Sequence, residues 1–249
     1  MGAGFRFMST LNSTFNPQGP VAIIGAMPQE VVRLVEQLED ASKLDVAGAH
    51  FHSGRLHGID VVVLQSGIGK VNVTVSTTIL IERFAPRCII NTGSAGGFGD
   101  HMQIGDVVIS SEVRHHDVDV TAFGYEMGQV PGMPAAYLPN PALASIARDS
   151  IQSLGGLNVH EGLICTGDSF MSDPVRVQQV REYFPSMLAV EMEAAAIAQA
   201  CHLYGCPFVI IRALSDIAGQ HSELSFDQFI IQAGEHSARM VAEMVKRLG

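Results

Sequence analysis

The chain of 249 residues contains no tryptophan and only four cysteines, none of which forms a CxxC pair. Besides Cys165, these are Cys88, Cys201 and Cys206, which lie in or beside apolar segments. A free thiol in such a segment behaves as a small hydrophobic side chain. The pattern argues against a disulfide framework and favours a reducing compartment, so we expect a cytoplasmic protein.

Positive charge is also scarce. The chain has 15 Lys and Arg against 25 Asp and Glu, for a formal net charge of -10, and no run of basic residues. A nucleic-acid partner is therefore not expected. No apolar run is long enough to cross a bilayer, so no membrane partner is expected either. Only 16% of the residues are charged, which is low for the surface of a monomer and favours an oligomer.

The first nineteen residues differ from the rest of the chain. They are rich in Ser, Asn, Gly and Thr and lack the apolar centre of a signal peptide. We expect residues 1–19 to be a disordered extension or one that was added to the natural chain. Beyond them no change of composition marks a boundary, so residues 20–249 are predicted to form a single domain.

Predicted strands alternate with predicted helices from residue 21 onwards. Buried apolar runs predict the strands, and segments with one apolar face predict the helices. Strands are expected at 21–24, 50–56, 59–65, 88–92, 106–110, 159–164, 207–211 and in a run that begins at Leu188. Helices are expected at 28–38, 71–84, 141–154, 174–184, 226–248 and in an alanine-rich segment after Glu193. This alternation predicts a three-layer α/β/α sandwich.

Acidic residues stand where predicted strands end. The apolar run that begins at Leu188 stops at Glu191 and Glu193, and open α/β sheets bind ligands at the carboxyl ends of their strands. Other polar residues in such positions are Glu30, Ser94, Asp168, Arg212, Ser215 and Asp216. Taken singly, each acid at a helix start is better explained by the helix dipole. Only their joint occurrence favours a site.

Two further segments are candidates for function. The glycine-rich stretch 93–97 is predicted to be a loop that approaches a ligand closely, although it matches neither a Walker motif nor GxGxxG. The long segment 115–139 is predicted to be functional or to pair with another chain. Its cluster of His115, His116, Asp117 and Asp119 lacks the regular spacing of metal ligands, so no metal is expected there.

Five motifs, taken together, resemble the 5′-methylthioadenosine/S-adenosylhomocysteine nucleosidases of the nucleoside phosphorylase superfamily. In chain order they are IIGAM with Glu30, SGIGK at 66–70, NTGSAGG at 91–97, VEME at 190–193 and RALSD at 212–216. The resemblance runs from about Val21 to the C-terminus. It implies a mixed, twisted central sheet of the nucleoside phosphorylase type, a homodimer, nucleoside substrates and no cofactor.

The resemblance also implies a reaction and three catalytic residues. The reaction is hydrolysis of the bond between adenine and ribose through an oxocarbenium-like ribosyl centre. Asp216 matches the acid that protonates N7 of adenine, and Glu30 matches the base that activates water. Glu193 matches the residue that accepts hydrogen bonds from the ribose hydroxyls and favours the positive charge.

The remaining matches concern binding. Ser94 and Arg212 match residues that order the water and the carboxylates, and Met192 matches one that packs under the ribose. Phe170 and Met171 match the adenine pocket, and Ser215 belongs to the same motif as Asp216. Ile68 and Phe226 match the alkylthio pocket. Val120, Phe123, Tyr125 and Pro131 match a loop that reaches into the site of the partner subunit.

Three alternatives are open at this point. A phosphorylase of the same superfamily would need several Arg or Lys side chains for phosphate, and the first loop offers only Glu30. An aminodeoxyfutalosine nucleosidase would use the same three acids with a different 5′ pocket. A protein that binds adenosine without turnover would not need all three acids. The physiological role is equally open among methionine salvage, upkeep of methylation and supply of a quorum-sensing signal.

Overall fold

The structure is a computed structural model and describes residues 16–99, 101–220 and 222–249. Most of the predicted extension, residues 1–15, lies outside the described residues, and the single domain over 20–249 stays a prediction. In the described part of the chain, no helix is both long and apolar enough to cross a membrane.

The described residues form nine strands, six α-helices and one short 3-10 helix. The strands are β1 (Val21–Gly25), β2 (Glu39–Val46), β3 (Ala49–Leu56), β4 (Ile59–Gln65), β5 (Cys88–Gly97), β6 (Val107–His115), β7 (Val159–Thr166), β8 (Met187–Glu191) and β9 (Phe208–Ile217). The α-helices are α1 (Pro28–Val35), α2 (Lys70–Phe84), α3 (Pro141–Leu154), α4 (Pro174–Tyr183), α5 (Ala194–Tyr204) and α6 (Ser222–Leu248). The 3-10 helix spans Thr121–Phe123.

All nine strands belong to one mixed sheet, in the order β2-β3-β4-β1-β5-β8-β7-β6-β9. Strand β1 is parallel to β4 and β5, whereas β8 is antiparallel to the end of β5. Strand β9 also pairs with β5 in parallel. Strands β5, β8, β7, β6 and β9 therefore close into a ring, and the other four strands extend from it.

Helices cover both faces of this sheet, as predicted. Alternate residues of β1 point to opposite sides: Ala22 and Ile24 join an apolar cluster with α2 and α5, whereas Val21 and Ile23 join one with α1, α3 and α6. The alanines at the start of α5 are almost completely buried, and their small side chains let the helix approach the sheet closely. The predicted three-layer α/β/α sandwich around a mixed sheet is confirmed.

Several strands extend further than the sequence predicts, and two of them, β5 and β9, do so at the site described below. The stretch 93–97, predicted to be a loop, lies inside β5, and residues 212–216, predicted to follow a strand, lie inside β9. The two segments pair with each other as far as Gly97 and Ile217. A Cβ atom at Gly97 would lie 2.8 Å from Ile217 Cδ1, so the missing side chain lets β5 continue close to β9.

One strand was missed altogether. Strand β2 is exposed along most of its length and contains mainly polar and charged residues, so it has no apolar run that would reveal it. It pairs with β3 at the edge of the sheet, with an irregular register between Glu39 and Ser42. It lies outside the cavity described below.

Candidate active site

The candidate site is a cavity of about 430 Å³ near the carboxyl ends of β1, β5, β8 and β9. The predicted site residues that line it are Glu30, Ile68, Ser94, Phe170, Met192, Glu193, Ser215, Asp216 and Phe226. Met171 lines a smaller neighbouring cavity of about 30 Å³ that shares Phe170 and Asp216 with the first. Arg212 lies behind the wall, 2% exposed. Segments far apart in the sequence thus meet at one cavity.

Glu30 is the third residue of α1 and is buried. Its Oε2 accepts hydrogen bonds from the backbone N–H groups of Ala26 (2.7 Å) and Met27 (3.0 Å). Its Oε1 accepts from the backbone N–H of Ser94 (2.9 Å) and from the Ser94 hydroxyl (3.1 Å). The side chain therefore caps the helix, as expected of an acid at a helix start, and is also fixed at the cavity wall by four hydrogen-bond donors.

Asp216 is 3% exposed near the end of β9. Burial raises the pKa of this carboxyl to about 6, and the Glu223 carboxylate acts in the same direction, whereas the Ser215 hydroxyl opposes the shift. That hydroxyl donates to Asp216 Oδ1 over 2.8 Å. Asp216 Oδ2 lies 3.1 Å from where a Cβ of Gly96 would stand. A glycine there leaves room for the carboxyl beside β5.

Strand β5 connects Asp216 with Glu30. Ser94 binds Glu30, and Gly96 lies beside Asp216. Two residues of an extended strand span roughly 7 Å. One short stretch of backbone therefore places both carboxyls on the same wall of the cavity.

Glu193 precedes α5 and is 7% exposed. Its Oε1 accepts a hydrogen bond from the backbone N–H of Gly69 over 2.9 Å. Burial raises the pKa of Glu193, and the neighbouring Glu191 carboxylate adds to this, whereas Arg212 and the Gly69 N–H lower it. The carboxyl therefore ionises more readily when a positive charge lies next to it in the cavity.

Glu191 lines the cavity but received no role from the sequence. It accepts hydrogen bonds from the backbone N–H groups of Glu193 (3.0 Å) and Ala194 (2.9 Å), and the Thr166 hydroxyl also donates to it. Its carboxylate thus anchors the start of α5. A buried arginine in β9 was the available signal, because such a side chain requires an acidic partner.

Arg212 is this buried arginine, and Glu191 is its acidic partner. Its Nη2 donates to Glu191 Oε2 (2.5 Å) and to Asn91 Oδ1 (2.7 Å), and it lies 4.0 Å from Glu193 Oε2. Burial opposes the charged form, but the surrounding carboxylates outweigh this and raise the pKa of Arg212. A Cβ atom at Gly93 would lie 3.0 Å from Arg212 Nη1. The guanidinium therefore offsets part of the negative charge behind the cavity wall.

The other end of the cavity is apolar and open. The rings of Phe170 and Phe226 meet edge to face with centroids 5.8 Å apart. Phe170 is 43% exposed and Ile68 is 48% exposed. Large apolar side chains that are exposed around a cavity are suited to contact a ligand.

Two acids of the cavity lining were missed. Glu223 and Asp227 line the cavity from the first turns of α6, which begins at Ser222 rather than near Phe226 as predicted. The sequence interpretation started the helix at its first large aromatic residue. An acid at the start of a helix was the signal that could have moved the boundary.

The long segment 115–139 lies outside the cavity. Phe123 is 81% exposed, Pro131 is exposed, and Val120 and Tyr125 are half-buried. None of the four lines the cavity of its own chain. Among the described residues, no three His, Cys, Asp or Glu side chains are placed to share a metal ion.

Comparisons with known proteins agree with this geometry. The model of the phosphorylase superfamily matches residues 20–246. The chain is 66% identical over 229 residues to the 5′-methylthioadenosine/S-adenosylhomocysteine nucleosidase of Chromohalobacter salexigens, across 92% of this chain and 97% of that protein.

Solved structures of related enzymes share the fold of this chain. The crystal structure of the Neisseria meningitidis nucleosidase in complex with methylthio-immucillin-A matches with a TM-score of 0.90 and 48% identity, over 92% of this chain and 99% of that chain. A futalosine hydrolase mutant of Helicobacter pylori has a TM-score of 0.87 at 29% identity, over 92% and 99% of the two chains.

Proposed function

The chain belongs to the phosphorylase superfamily and, within it, to the 5′-methylthioadenosine/S-adenosylhomocysteine nucleosidases, and on this premise we propose that Glu30, Glu193 and Asp216 catalyse the reaction. The enzyme hydrolyses the N-glycosidic bond of these two nucleosides to adenine and a 5-thio-substituted ribose. The observation that supports the assignment of roles is that all three acids line one cavity.

Asp216 protonates N7 of the leaving adenine. Its pKa, raised to about 6 by burial, leaves roughly a tenth of the carboxyl neutral at pH 7, far more than for an ordinary Asp side chain. A neutral carboxyl can donate the proton that a departing base needs. Once ionised, the same group can accept a hydrogen bond from the 6-amino group, which favours adenine over 6-oxo purines.

Glu30 is the base that accepts a proton from the attacking water. A general base needs a fixed position within hydrogen-bond reach of that water. The four donors on Glu30 supply this position, and two of them come from Ser94. We assign Ser94 and Arg212 to ordering the water and the carboxylates, in agreement with the sequence-based prediction.

Glu193 binds the ribose hydroxyls and stabilises the positive charge that develops on the ribosyl ring. An approaching cation favours the ionised form of a carboxyl whose pKa is raised. Met192 packs under the ribose, and Phe170 and Met171 bind the adenine. Ile68 and Phe226 bind the 5′-alkylthio group at the open end of the cavity.

Adenine release is expected to be independent of phosphate. No Lys or Arg is among the described residues that line the cavity, and Arg212 is already bound to Glu191 and Asn91. Phosphate recognition needs such cations. The rate of adenine release from 5′-methylthioadenosine is measured in phosphate-free buffer and again with added phosphate. A rate that requires phosphate, with a sugar phosphate as product, would identify a phosphorylase instead.

The futalosine alternative has weaker support. The futalosine hydrolase structure shares the fold at 29% identity, whereas the nucleosidase of Chromohalobacter salexigens is 66% identical. The apolar lining by Ile68 and Phe226 suits an alkylthio substituent. Negligible cleavage of 5′-methylthioadenosine, beside good cleavage of a bulkier 5′-substituted adenosine, would favour the alternative.

We also propose a cytoplasmic homodimer in which Val120, Phe123, Tyr125 and Pro131 reach the site of the partner subunit. The exposure of Phe123 in a single chain supports this proposal. The four cysteines are buried and free, which suits a reducing compartment. Methionine salvage and quorum-signal supply are the proposed physiological uses of the products.

Tyr125→Ala is expected to raise the KM for S-adenosylhomocysteine more than the KM for 5′-methylthioadenosine. The longer 5′ group extends further out of the cavity and depends more on the loop of the partner subunit. Steady-state kinetics with both substrates measure the effect. Tyr183→Ala, at a tyrosine 60% exposed on α4, is the matched control. An unchanged KM for both substrates would remove the cross-subunit loop from the proposal.

A further inference from the structure

Three segments at the edge of the cavity are joined by a closed ring of hydrogen bonds. Lys70 Nζ donates to Asp117 Oδ1 over 2.7 Å, and the backbone N–H of Asp168 donates to Asp117 Oδ2 over 3.0 Å. The backbone N–H of Lys70 donates to Asp168 Oδ1 over 2.8 Å. We call Lys70, Asp117 and Asp168 the rim ring. Lys70 is the first residue of α2, Asp117 lies two residues after β6, and Asp168 lies two residues after β7.

The rim ring differs from an ordinary ion pair on the surface. The side chains of Lys70 and Asp117 are only 21% and 29% exposed. Burial opposes the charge on Asp117, but Lys70 and the Asp168 N–H outweigh it, so the pKa of Asp117 is lowered. Isolated exposed pairs contribute little, whereas partly buried networks hold their members in place.

The rim ring is connected to Glu193 through one peptide unit. Helix α2 starts after Gly69, which has no side chain to cap it, and Asp168 caps the helix instead. The N–H of Lys70 binds Asp168, and the preceding N–H, of Gly69, binds Glu193. Gly69 has φ +94°, and a Cβ there would lie 3.1 Å from Asp168 Oδ1. A shift of Asp168 or Lys70 therefore moves the donor that holds Glu193.

We propose that Lys70 and Asp117 are positioning residues that orient the Glu193 carboxyl toward the ribose of the substrate. This inference rests on the proposed role of Glu193. The effect passes from Asp117 to Lys70 and Asp168 and then through the Gly69 N–H. Neither Lys70 nor Asp117 lines the cavity, so they act through Glu193 and not on the substrate.

The first test removes the charge of each residue in turn in the full-length protein. Asp117→Asn and Lys70→Met are each expected to lower kcat/KM for 5′-methylthioadenosine by about 10- to 100-fold, because a small misplacement of a catalytic group is costly. Lys70→Arg keeps the cation and is expected to restore most of the activity. Lys43→Met is the matched control, since Lys43 pairs with Asp45 over 3.0 Å on exposed strand β2.

The second test separates positioning of Glu193 from a general loss of structure. Free adenine has no ribose and does not contact the ribose site. Its affinity, measured by calorimetry, is therefore expected to be unchanged in Asp117→Asn. Glu193 acts in part through the ribose hydroxyls, so the loss in kcat/KM is expected to be clearly smaller with the 2′,3′-dideoxy analogue of the substrate, where only its effect on the ribosyl charge is left. An equal loss on both substrates would contradict the inference and indicate a structural role.

The outcomes distinguish this inference from the function on which it rests. If the wild-type protein releases no adenine, the proposed function fails. If it does and both variants retain full activity, the function stands and the rim ring has no positioning role. If Asp117→Asn does not fold, Lys70→Met and Lys70→Arg give the answer, because Met and Arg are both good helix formers.

Discussion

Asp216→Asn is expected to slow adenine release from 5′-methylthioadenosine by at least ~10²-fold, the usual scale for loss of a general acid. An amide has nearly the same shape and can still accept from the Ser215 hydroxyl, which lies 2.8 Å from Asp216 Oδ1. It cannot supply the carboxyl proton to N7. Single-turnover kinetics, which exclude product release, measure the effect.

The pH dependence gives this prediction a second readout. A general acid is active while protonated, and burial raises the pKa of Asp216 to about 6. The kcat/KM of the wild-type enzyme is therefore expected to fall as the pH rises through about 6, and the Asn variant is expected to lack this limb. Asp60→Asn, on an exposed residue of β4, is the control. A variant that retains both the rate and the limb would refute Asp216 as the acid.

Glu30→Gln is expected to reduce turnover by a similar factor of at least ~10², because an amide cannot accept the proton of water. This variant also has an expected cost in stability. Both carboxylate oxygens of Glu30 face N–H donors, from Ala26 and Met27 on one side and from Ser94 on the other. In either orientation the amide NH₂ of Gln meets an N–H group. At least one donor then loses its acceptor, at a cost of about 1–3 kcal/mol.

Thermal unfolding and turnover of the Glu30 variant are measured on the same preparation. Glu36→Gln lies at the exposed end of the same helix and is the matched control. Its free energy of unfolding is expected to change by less than about 0.5 kcal/mol. If Glu30→Gln turns over substrate at nearly the wild-type rate while folded, Glu30 is not the base.

The layers of the fold were predictable from the sequence because they follow from local apolar patterns. The strand ends at the site were not. Strand β5 continues through 93–97 because its partner β9 lies beside it, and no pattern within a glycine-rich stretch reveals that contact. Strand β2 was missed for the opposite reason, since a polar edge strand has no apolar run.

The site was predictable to a similar degree. The family resemblance pointed to Glu30, Glu193 and Asp216, and all three line one cavity. Glu191 stood beside them in the sequence, but its partner Arg212 is 21 residues away and the pairing became visible only in three dimensions. The rim ring was also not visible in the sequence, because its members are 47 to 98 residues apart.

The glycines of β5 have a consequence for resistance to inhibitors. Ser94 binds Glu30, Gly96 adjoins Asp216, and a side chain at Gly93 would collide with Glu30. A mutation on this strand that weakened the binding of a transition-state mimic would also disturb both acids. It would therefore lower the enzyme's own turnover. Variants that resist inhibitors are therefore expected at the open end, around Ile68 and Phe226. An inhibitor without a bulky 5′ group makes few contacts there, so substitutions at these two residues would weaken its binding only slightly.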